Sequence, residues 1–159
     1  MKDMVKTIAG ILLVVALAGV GSSQAQHAYT NFVLRGCYGF LSNSVDVAPP
    51  NLNRSTVGTM CFDGNGNIIP NFGALDGTGW WQTTNGASLA FAKQGGVYAV
   101  LNAPGQGMGQ IRLANGCYYA FSINSVDPND LAHGFQFSLI NPQTCPGPNV
   151  VGGTALLQP

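Results

Sequence analysis

Charge is what this sequence has least of. Charged residues make up 8% of its 159 residues, with six basic and six acidic side chains and no glutamate. Because soluble domains usually carry about a quarter charged residues, the polarity of this chain must come from Ser, Thr, Asn and Gln. Six scattered cations cannot form a stripe that neutralises phosphates, which excludes nucleic acid as an expected partner.

The sequence also lacks an apolar run long enough to span a membrane. Its longest run, Ile8–Val20, follows two lysines and is followed by the small residues of Ser23–Ala25. The length and flanks of this run are typical of an export signal. We therefore expect residues 1–25 to be removed as a signal peptide, leaving one β domain over 26–159 that is periplasmic or secreted and has no stable membrane anchor. An uncleaved anchor helix is the alternative.

Cysteines are few, and they lack the spacing of metal ligands. The chain has four cysteines, no C-x-x-C pair and two histidines, so disulfides are expected and a metal site is not. Four cysteines allow three pairings. Antiparallel pairing of the segments around Cys37 and Cys61 places both thiols on one face, as a cross-strand disulfide requires. Exclusion then pairs Cys117 with Cys145, whose loop returns to the same end of the sheet.

Short apolar or alternating segments recur between Gly, Asn and Pro clusters, which is typical of an all-β chain. Asn85-Gly86 and Asn115-Gly116 stand where hairpin turns are expected, and so does Asp63–Asn67, which is not followed by the glycine and glutamate of a calcium loop. Many antiparallel strands with few charges to protect an edge favour a closed up-and-down barrel of about 8–10 strands, with a β-sandwich second. Strands are predicted near 32–42, 55–62, 67–72, 78–84, 87–93, 96–102, 107–114, 117–124, 134–140 and 149–157.

Several strand motifs resemble those of a group of small exported bacterial proteins. The matching segments are Leu34–Phe40 (L-x-G-x-Y-x-F), Val57–Asn67 (V-G-x-x-x-F-D-G-x-G-N), Gly96–Val100 (G-x-Y-x-V), Phe135–Phe137 (F-x-F) and Val151–Ala155 (V-x-G-T-A). The resemblance implies a lipocalin-like, calycin-type barrel whose family role is largely uncharacterised. Its motifs correspond to strands and turns, and they do not indicate a catalytic activity or a ligand. The chain departs from the pattern by the two cysteines of its first hairpin.

Alternation along the strands indicates which aromatic side chains face the barrel interior. If Asn85-Gly86 is a two-residue turn, Trp80 lies opposite Phe91 and faces the core, whereas Trp81 lies opposite Ala90 and faces outward. Trp81 is then a candidate for binding a sugar or a partner, with an ordinary surface tryptophan as the alternative. The inward positions would form an apolar wall around one small ligand, and the candidate ligand-binding aromatics are Tyr38, Phe40, Phe62, Trp80, Tyr98, Phe135 and Phe137.

The strand pattern does not decide whether the side chain of Arg112 faces the barrel interior or the solvent. A two-residue turn at Asn115-Gly116 would place it inside an aromatic-lined barrel, where it would need an anionic ligand or a buried partner. A three-residue turn over Ala114–Gly116 would return it to solvent and turn Ile111 and Leu113 inward. We favour the three-residue turn and keep Arg112 among the candidate ligand-binding residues.

Three functions fit these features. The first is a binding module that holds a small apolar ligand in the lumen, without a cofactor. The second is an extracytoplasmic structural or adhesive subunit that self-associates, which the low charge, the disulfides and the extended segment Gln26–Asn31 would suit. The third is a cofactor-free barrel cyclase or isomerase, which has least support because no acid–base constellation stands out.

Overall fold

The computed structural model of the protein consists almost entirely of β-strands. It describes residues 29–45, 53–72, 75–84, 89–101, 107–141, 143, 145 and 150–159. The predicted signal peptide lies outside these residues. A short 3-10 helix, Asn31–Val33, precedes strands β1 (Arg35–Val45), β2 (Asn53–Asp63), β3 (Asn67–Ile68), β4 (Asn71–Phe72), β5 (Leu75–Asp76), β6 (Gly79–Thr84), β7 (Leu89–Lys93), β8 (Gly96–Val100), β9 (Met108–Leu113), β10 (Tyr118–Val126), β11 (Ala132–Leu139) and β12 (Val150–Leu157). Within the described ranges, no helix is long and apolar enough to cross a membrane.

Eight of these strands close into an antiparallel barrel. They follow the order β1, β12, β11, β10, β9, β8, β3 and β2, and β2 pairs again with β1. The β1–β2 ladder runs from Arg35 opposite Asp63 to Val45 opposite Asn53. Closure of these eight strands removes the two long open edges that a flat eight-stranded sheet would expose. The predicted closed barrel is therefore confirmed.

The hairpin of β6 and β7 departs from a simple up-and-down order. β2 pairs with β3 near one end, through Phe62 and Ile68, and pairs with β6 along Arg54–Thr59. β7 continues the sheet beyond β6, so this hairpin extends one wall of the barrel. The strand predicted over 67–72 is two short strands, because β3 belongs to the barrel and β4 pairs with β5 in a separate sheet.

The register of the β6–β7 hairpin also differs from the predicted one. A two-residue turn at Asn85-Gly86 would place Trp80 opposite Phe91. Instead Ala92 lies opposite Trp80 and Phe91 lies opposite Trp81, so the observed pairing is offset by one residue from the predicted one, and Asn85-Gly86 itself lies outside the described residues. Trp80 still faces the core and Trp81 still faces outward, because the pairing of β6 with β2 determines which way the two side chains point.

The 3-10 helix closes the end of the barrel at which β1 begins. The Oδ1 atom of Asn31 accepts a hydrogen bond from the Val100 N–H at 2.8 Å. The Tyr98 hydroxyl lies 2.8 Å from the carbonyl oxygen of Asn31 and 2.7 Å from that of Leu34. Burial raises the pKa of Tyr98 to about 12, so the phenol stays protonated and donates in this contact. These bonds hold the segment as a turn, and β1 begins at Arg35 rather than near residue 32 as predicted.

Both predicted disulfides are present. Cys37 lies opposite Cys61 in the β1–β2 ladder, with their Cα atoms 4.0 Å apart. Cys117 is bonded to Cys145, with their Cα atoms 4.4 Å apart. Two disulfides indicate that the chain folds in an oxidising environment.

Aromatic rings fill the half of the lumen next to the 3-10 helix. The Phe62 ring centroid lies 5.6 Å from that of Tyr38, 4.9 Å from that of Tyr98 and 5.7 Å from that of Phe135. The Phe121 ring lies 5.7 Å from Phe135. These edge-to-face and tilted contacts are the arrangements that aromatic rings favour in a packed core. We call these five residues the aromatic layer; none of them is more than 4% exposed.

Candidate functional site

The residues that the structure describes leave the other half of the lumen open. It holds a cavity of about 230 Å³, called here the lumen cavity, at the end of the barrel away from the 3-10 helix. Strands β1, β2 and β6 supply one side of its wall, and the start of β10 with the Cys117–Cys145 disulfide supplies another. The lining residues are Phe40, Ser42, Ser44, Thr56, Met60, Trp80, Gln82, Gln94, Leu113, Asn115, Cys117, Tyr119, Phe137, Cys145 and Val151.

Aromatic side chains form the apolar part of the lumen cavity. The Phe40 ring centroid lies 6.4 Å from that of Trp80 and 5.8 Å from that of Phe137. Tyr119 packs edge-to-face on Phe137 at 5.8 Å. Burial raises the pKa of Tyr119 to about 12, so its phenol is neutral at physiological pH. Rings in this arrangement are suited to contact a flat apolar molecule.

Trp80 approaches the barrel wall closely because the residue opposite it is glycine. Gly58 pairs with Trp80 in the β2–β6 ladder. A Cβ atom at position 58 would lie 2.6 Å from the Cβ atom of Trp80 and would also overlap the carbonyl oxygen of Gly79. The approach of β6 to β2 at the lumen cavity therefore requires glycine.

We expect Gly58→Ala to lower the free energy of unfolding by about 1–3 kcal/mol, because the added methyl group must displace Trp80 or the β6 backbone. Urea unfolding followed by tryptophan emission measures this loss, in a Trp81→Phe background that keeps Trp80 as the reporter. Gly152→Ala is the matched control, because a Cβ atom there meets nothing closer than the Phe137 carbonyl oxygen at 3.9 Å. Equal losses in the two variants would contradict the role given to Gly58.

The wall beside the aromatic rings is polar. Ser42 and Ser44 of β1 lie opposite Thr56 and Arg54 of β2, and residues directly opposite in an antiparallel ladder share a face. Arg54 Nη1 donates to Gln82 Oε1 at 3.2 Å, and Gln82 Nε2 donates to Thr56 Oγ1 at 3.2 Å. The Oγ atom of Ser44 is buried and has no hydrogen-bond partner among the residues that the structure describes. Hydroxyl groups therefore face the lumen cavity from two neighbouring strands.

Arg54 lies beside the lumen cavity but is not predicted from the sequence pattern. The pattern raises the possibility of an arginine in the lumen only at Arg112. A signal for Arg54 does exist in the sequence. Arg54 is an odd number of positions from Cys61 and an even number from Phe62, so alternation places it on the core face with Phe62 once the disulfide is paired. Arg54 itself is half-buried and lies next to the lining residue Gln82.

The predicted ligand-binding aromatics divide between the two halves of the lumen. Phe40, Trp80 and Phe137 line the lumen cavity. Tyr38, Phe62, Tyr98 and Phe135 belong to the aromatic layer and are core residues. Alternation indicates correctly that all seven belong to the interior of the barrel, but it does not distinguish a ring that lines a cavity from a ring that fills the core.

Arg112 lies outside the lumen. It is exposed and pairs with Tyr118, whose ring centroid is 5.0 Å from the guanidinium carbon. The Leu113 N–H donates to the Cys117 carbonyl at 2.9 Å, and the Gly116 N–H donates to the Leu113 carbonyl at 3.0 Å. Gly116 has a φ of 90°. The favoured three-residue turn is thus confirmed, and Arg112 is not part of the lumen cavity.

Trp81 faces outward as predicted. Leu41 lies opposite Val57 in the β1–β2 ladder, and Val57 lies opposite Trp81 in the β2–β6 ladder. The three side chains are 56%, 54% and 50% exposed, in that order. They form an apolar row on the outside of the barrel, and binding of a sugar or a partner at Trp81 stays a prediction.

Among the described residues that line the lumen cavity, none carries a carboxylate, an imidazole or an amine, and the two cysteines are joined in a disulfide. General acid–base catalysis needs a group that titrates near the working pH and lies beside the substrate. In the part of the chain that the structure describes, no group of three or more His, Cys, Asp or Glu residues could hold a metal ion.

Comparison with known proteins assigns no family to this chain. No protein-family model, curated protein or solved structure matches it. The lipocalin-like resemblance of its strand motifs therefore stays a prediction, and its function has to be inferred from the lumen cavity itself.

Proposed function

We propose that this chain is an exported β-barrel that binds one small ring-bearing molecule in the lumen cavity. The observation that carries the proposal is the unequal filling of the lumen. The aromatic layer occupies one half, whereas the described part of the chain leaves about 230 Å³ open in the other half. Because protein interiors are normally close-packed and empty space in them costs stability, an unfilled half of a barrel favours a binding site.

The size and lining of the lumen cavity indicate the kind of ligand. Ligand pockets usually span about 300–1,000 Å³, so a cavity of about 230 Å³ suits a molecule with one or two rings rather than a long lipid. Phe40, Trp80 and Phe137 offer ring faces and edges for contact. The serine and threonine hydroxyls beside them would fix the orientation of a ligand that carries one polar group.

The disulfides support an extracytoplasmic location for this binding. Disulfides such as Cys37–Cys61 and Cys117–Cys145 persist in oxidising compartments, and the predicted signal peptide over residues 1–25 would deliver the chain to one. The motifs that resemble small exported lipocalin-like barrels agree with this location. We place the mature protein in the periplasm or outside the cell.

Ser42→Leu tests the proposal by filling the lumen cavity. Ser42 is 4% exposed and lines the cavity, so a leucine side chain there would occupy ligand space. We expect the parent protein to bind the neutral bicyclic probe 2-naphthamide and Ser42→Leu to bind it at least about tenfold more weakly, since probe and leucine compete for one volume. Isothermal titration calorimetry of the disulfide-intact chain measures both affinities.

The matched control is Ser122→Leu, because Ser122 is an exposed serine on the outer face of β10. This variant should bind the probe as the parent does. Equal weakening in both variants, or no binding by the parent, would contradict a lumen site. Absence of binding together with oligomers in size-exclusion chromatography would favour the self-associating subunit instead.

A further inference from the structure

The Ser44 hydroxyl lines the lumen cavity and has no partner among the described residues. Ser44 is 4% exposed, and its Oγ atom is buried. A buried hydroxyl without a hydrogen bond costs about 1–3 kcal/mol, and most buried side-chain polar groups are bonded to protein or to water. Because this hydroxyl borders an open cavity, a molecule in the cavity can supply the missing bond.

The polar side chains next to Ser44 are bonded to one another. Arg54 Nη1 donates to Gln82 Oε1, and Gln82 Nε2 donates to Thr56 Oγ1, each at 3.2 Å. Gln82 and Thr56 line the cavity, whereas Arg54 is not among the lining residues. Ser44 lies opposite Arg54 in the β1–β2 ladder but takes no part in these bonds. A ligand can therefore bond to Ser44 without breaking a hydrogen bond inside the protein.

The lining of the cavity favours an uncharged ligand with a hydrogen-bond acceptor. None of the described lining residues is aspartate, glutamate, lysine or arginine. An ionised group that leaves water for such a lining loses hydration that no opposite charge in the lining replaces. A serine hydroxyl has one hydrogen to donate, and an uncharged carbonyl oxygen accepts it without adding a further donor that would need a partner.

Strand geometry gives the distance between the aromatic contacts and Ser44. Phe40 and Trp80 lie at one level of the barrel, because each pairs with Gly58. Ser44 lies four residues beyond Phe40 on the same face of β1, which is roughly 13 Å at about 3.3 Å per residue. Two fused rings with a carbonyl group at one end span this length better than a single ring does.

We propose that the ligand is an uncharged aromatic carbonyl compound, whose rings contact Phe40 and Trp80 and whose carbonyl oxygen accepts a hydrogen bond from the Ser44 hydroxyl. This inference rests on the proposed function, because it names the class of molecule that the lumen cavity takes. Ser44 is then the residue that distinguishes this class from an apolar molecule of the same shape.

Two probes of matched shape test the role of Ser44. 2-Acetylnaphthalene and 2-isopropenylnaphthalene differ only in that a CH₂ group replaces the carbonyl oxygen. We expect Ser44→Ala to weaken 2-acetylnaphthalene by about threefold or more, because one hydrogen bond is lost, and to change 2-isopropenylnaphthalene by less than about twofold. Equilibrium dialysis of the disulfide-intact protein measures these affinities.

Ser122→Ala is the matched control, because Ser122 is exposed on the outer face of β10. It should leave both affinities unchanged. Unchanged binding of 2-acetylnaphthalene by Ser44→Ala, or equal weakening of the two probes, would overturn the carbonyl assignment and leave the lumen site standing. Failure of 2-naphthamide and of both new probes to bind the parent would instead overturn the proposed function.

The charge of the ligand is tested with 2-naphthoate and 2-naphthamide, which have the same rings and nearly the same shape. At neutral pH only 2-naphthoate is anionic. We expect calorimetry to show that the parent binds it at least about tenfold more weakly than 2-naphthamide, because the carboxylate loses its hydration. Tighter binding of 2-naphthoate would overturn the assignment of an uncharged ligand.

Infrared spectroscopy of bound, isotope-labelled 2-acetylnaphthalene gives a test that does not depend on how a variant folds. A carbonyl group that accepts a hydrogen bond stretches at a lower frequency than the same group in an alkane solvent. The parent complex should show this lowering, and Ser44→Ala should reverse it. A carbonyl frequency in the parent equal to the alkane value, or one lowered equally in Ser44→Ala, would overturn the proposal.

Discussion

Phe135→Ala is expected to lower the free energy of unfolding by about 3–5 kcal/mol, the range for truncating a buried phenylalanine. Phe135 is fully buried, and its ring lies 5.4 Å from Tyr38, 5.7 Å from Phe62 and from Phe121, and 6.1 Å from Phe137. The closed barrel cannot collapse around the lost ring, so most of the space would remain as a cavity. Equilibrium unfolding in urea of the disulfide-intact protein measures the loss.

Phe32→Ala is the matched control for this prediction. Phe32 is 55% exposed, and its ring lies 3.9 Å from the Arg35 guanidinium carbon on the surface. Its truncation should cost less than about 1 kcal/mol. If Phe135→Ala were no more destabilising than Phe32→Ala, the aromatic layer would not be the packed core of the barrel.

Removal of the Cys117–Cys145 disulfide by a double alanine substitution is expected to lower the free energy of unfolding by about 3–4 kcal/mol. The bond spans a sequence separation of 28 residues, and the chain-entropy model assigns a loss of this size to a loop of that length. Both cysteines also line the lumen cavity, so this variant should bind 2-naphthamide more weakly. Urea unfolding and calorimetry measure the two effects.

The Cys37–Cys61 disulfide supplies the comparison, because its loop is nearly as long, with a separation of 24 residues, and neither of its cysteines lines the cavity. Its removal should cost a similar free energy of unfolding and leave probe affinity unchanged. Loss of binding in both double variants would mean that affinity follows overall stability. Binding would then say nothing about the role of Cys117 and Cys145 at the cavity.

Strand pairing was the part of the fold that the sequence could predict. Alternation and a symmetric pairing were enough to place Cys37 opposite Cys61, and turn chemistry was enough to prefer the outward Arg112. Each of these two features depends on the residues of a single hairpin. The predicted β6–β7 register is wrong by one residue because it depends on Asn85-Gly86 alone. The facing of the two tryptophans instead follows the pairing of β6 with β2, which is a contact between distant parts of the chain.

The lumen cavity could not be predicted, because alternation reports the facing of a side chain and not the space around it. Phe135 and Phe137 lie on the same face of β11, yet the first belongs to the aromatic layer and the second lines the cavity. What separates them is their height in the barrel, because Phe135 lies two residues nearer than Phe137 to the end at which β1 begins. Arg54 was within reach of pattern reasoning, since its parity follows from the Cys37–Cys61 pairing.

We propose that one half of the lumen is packed core and the other half is a ligand site, and a crystal structure of the protein grown with 2-naphthamide tests this division. The ring of the probe is expected between Phe40 and Trp80, with the aromatic layer unmoved. A lumen filled by its own side chains, or a probe bound only outside the barrel, would contradict a ligand site in the lumen.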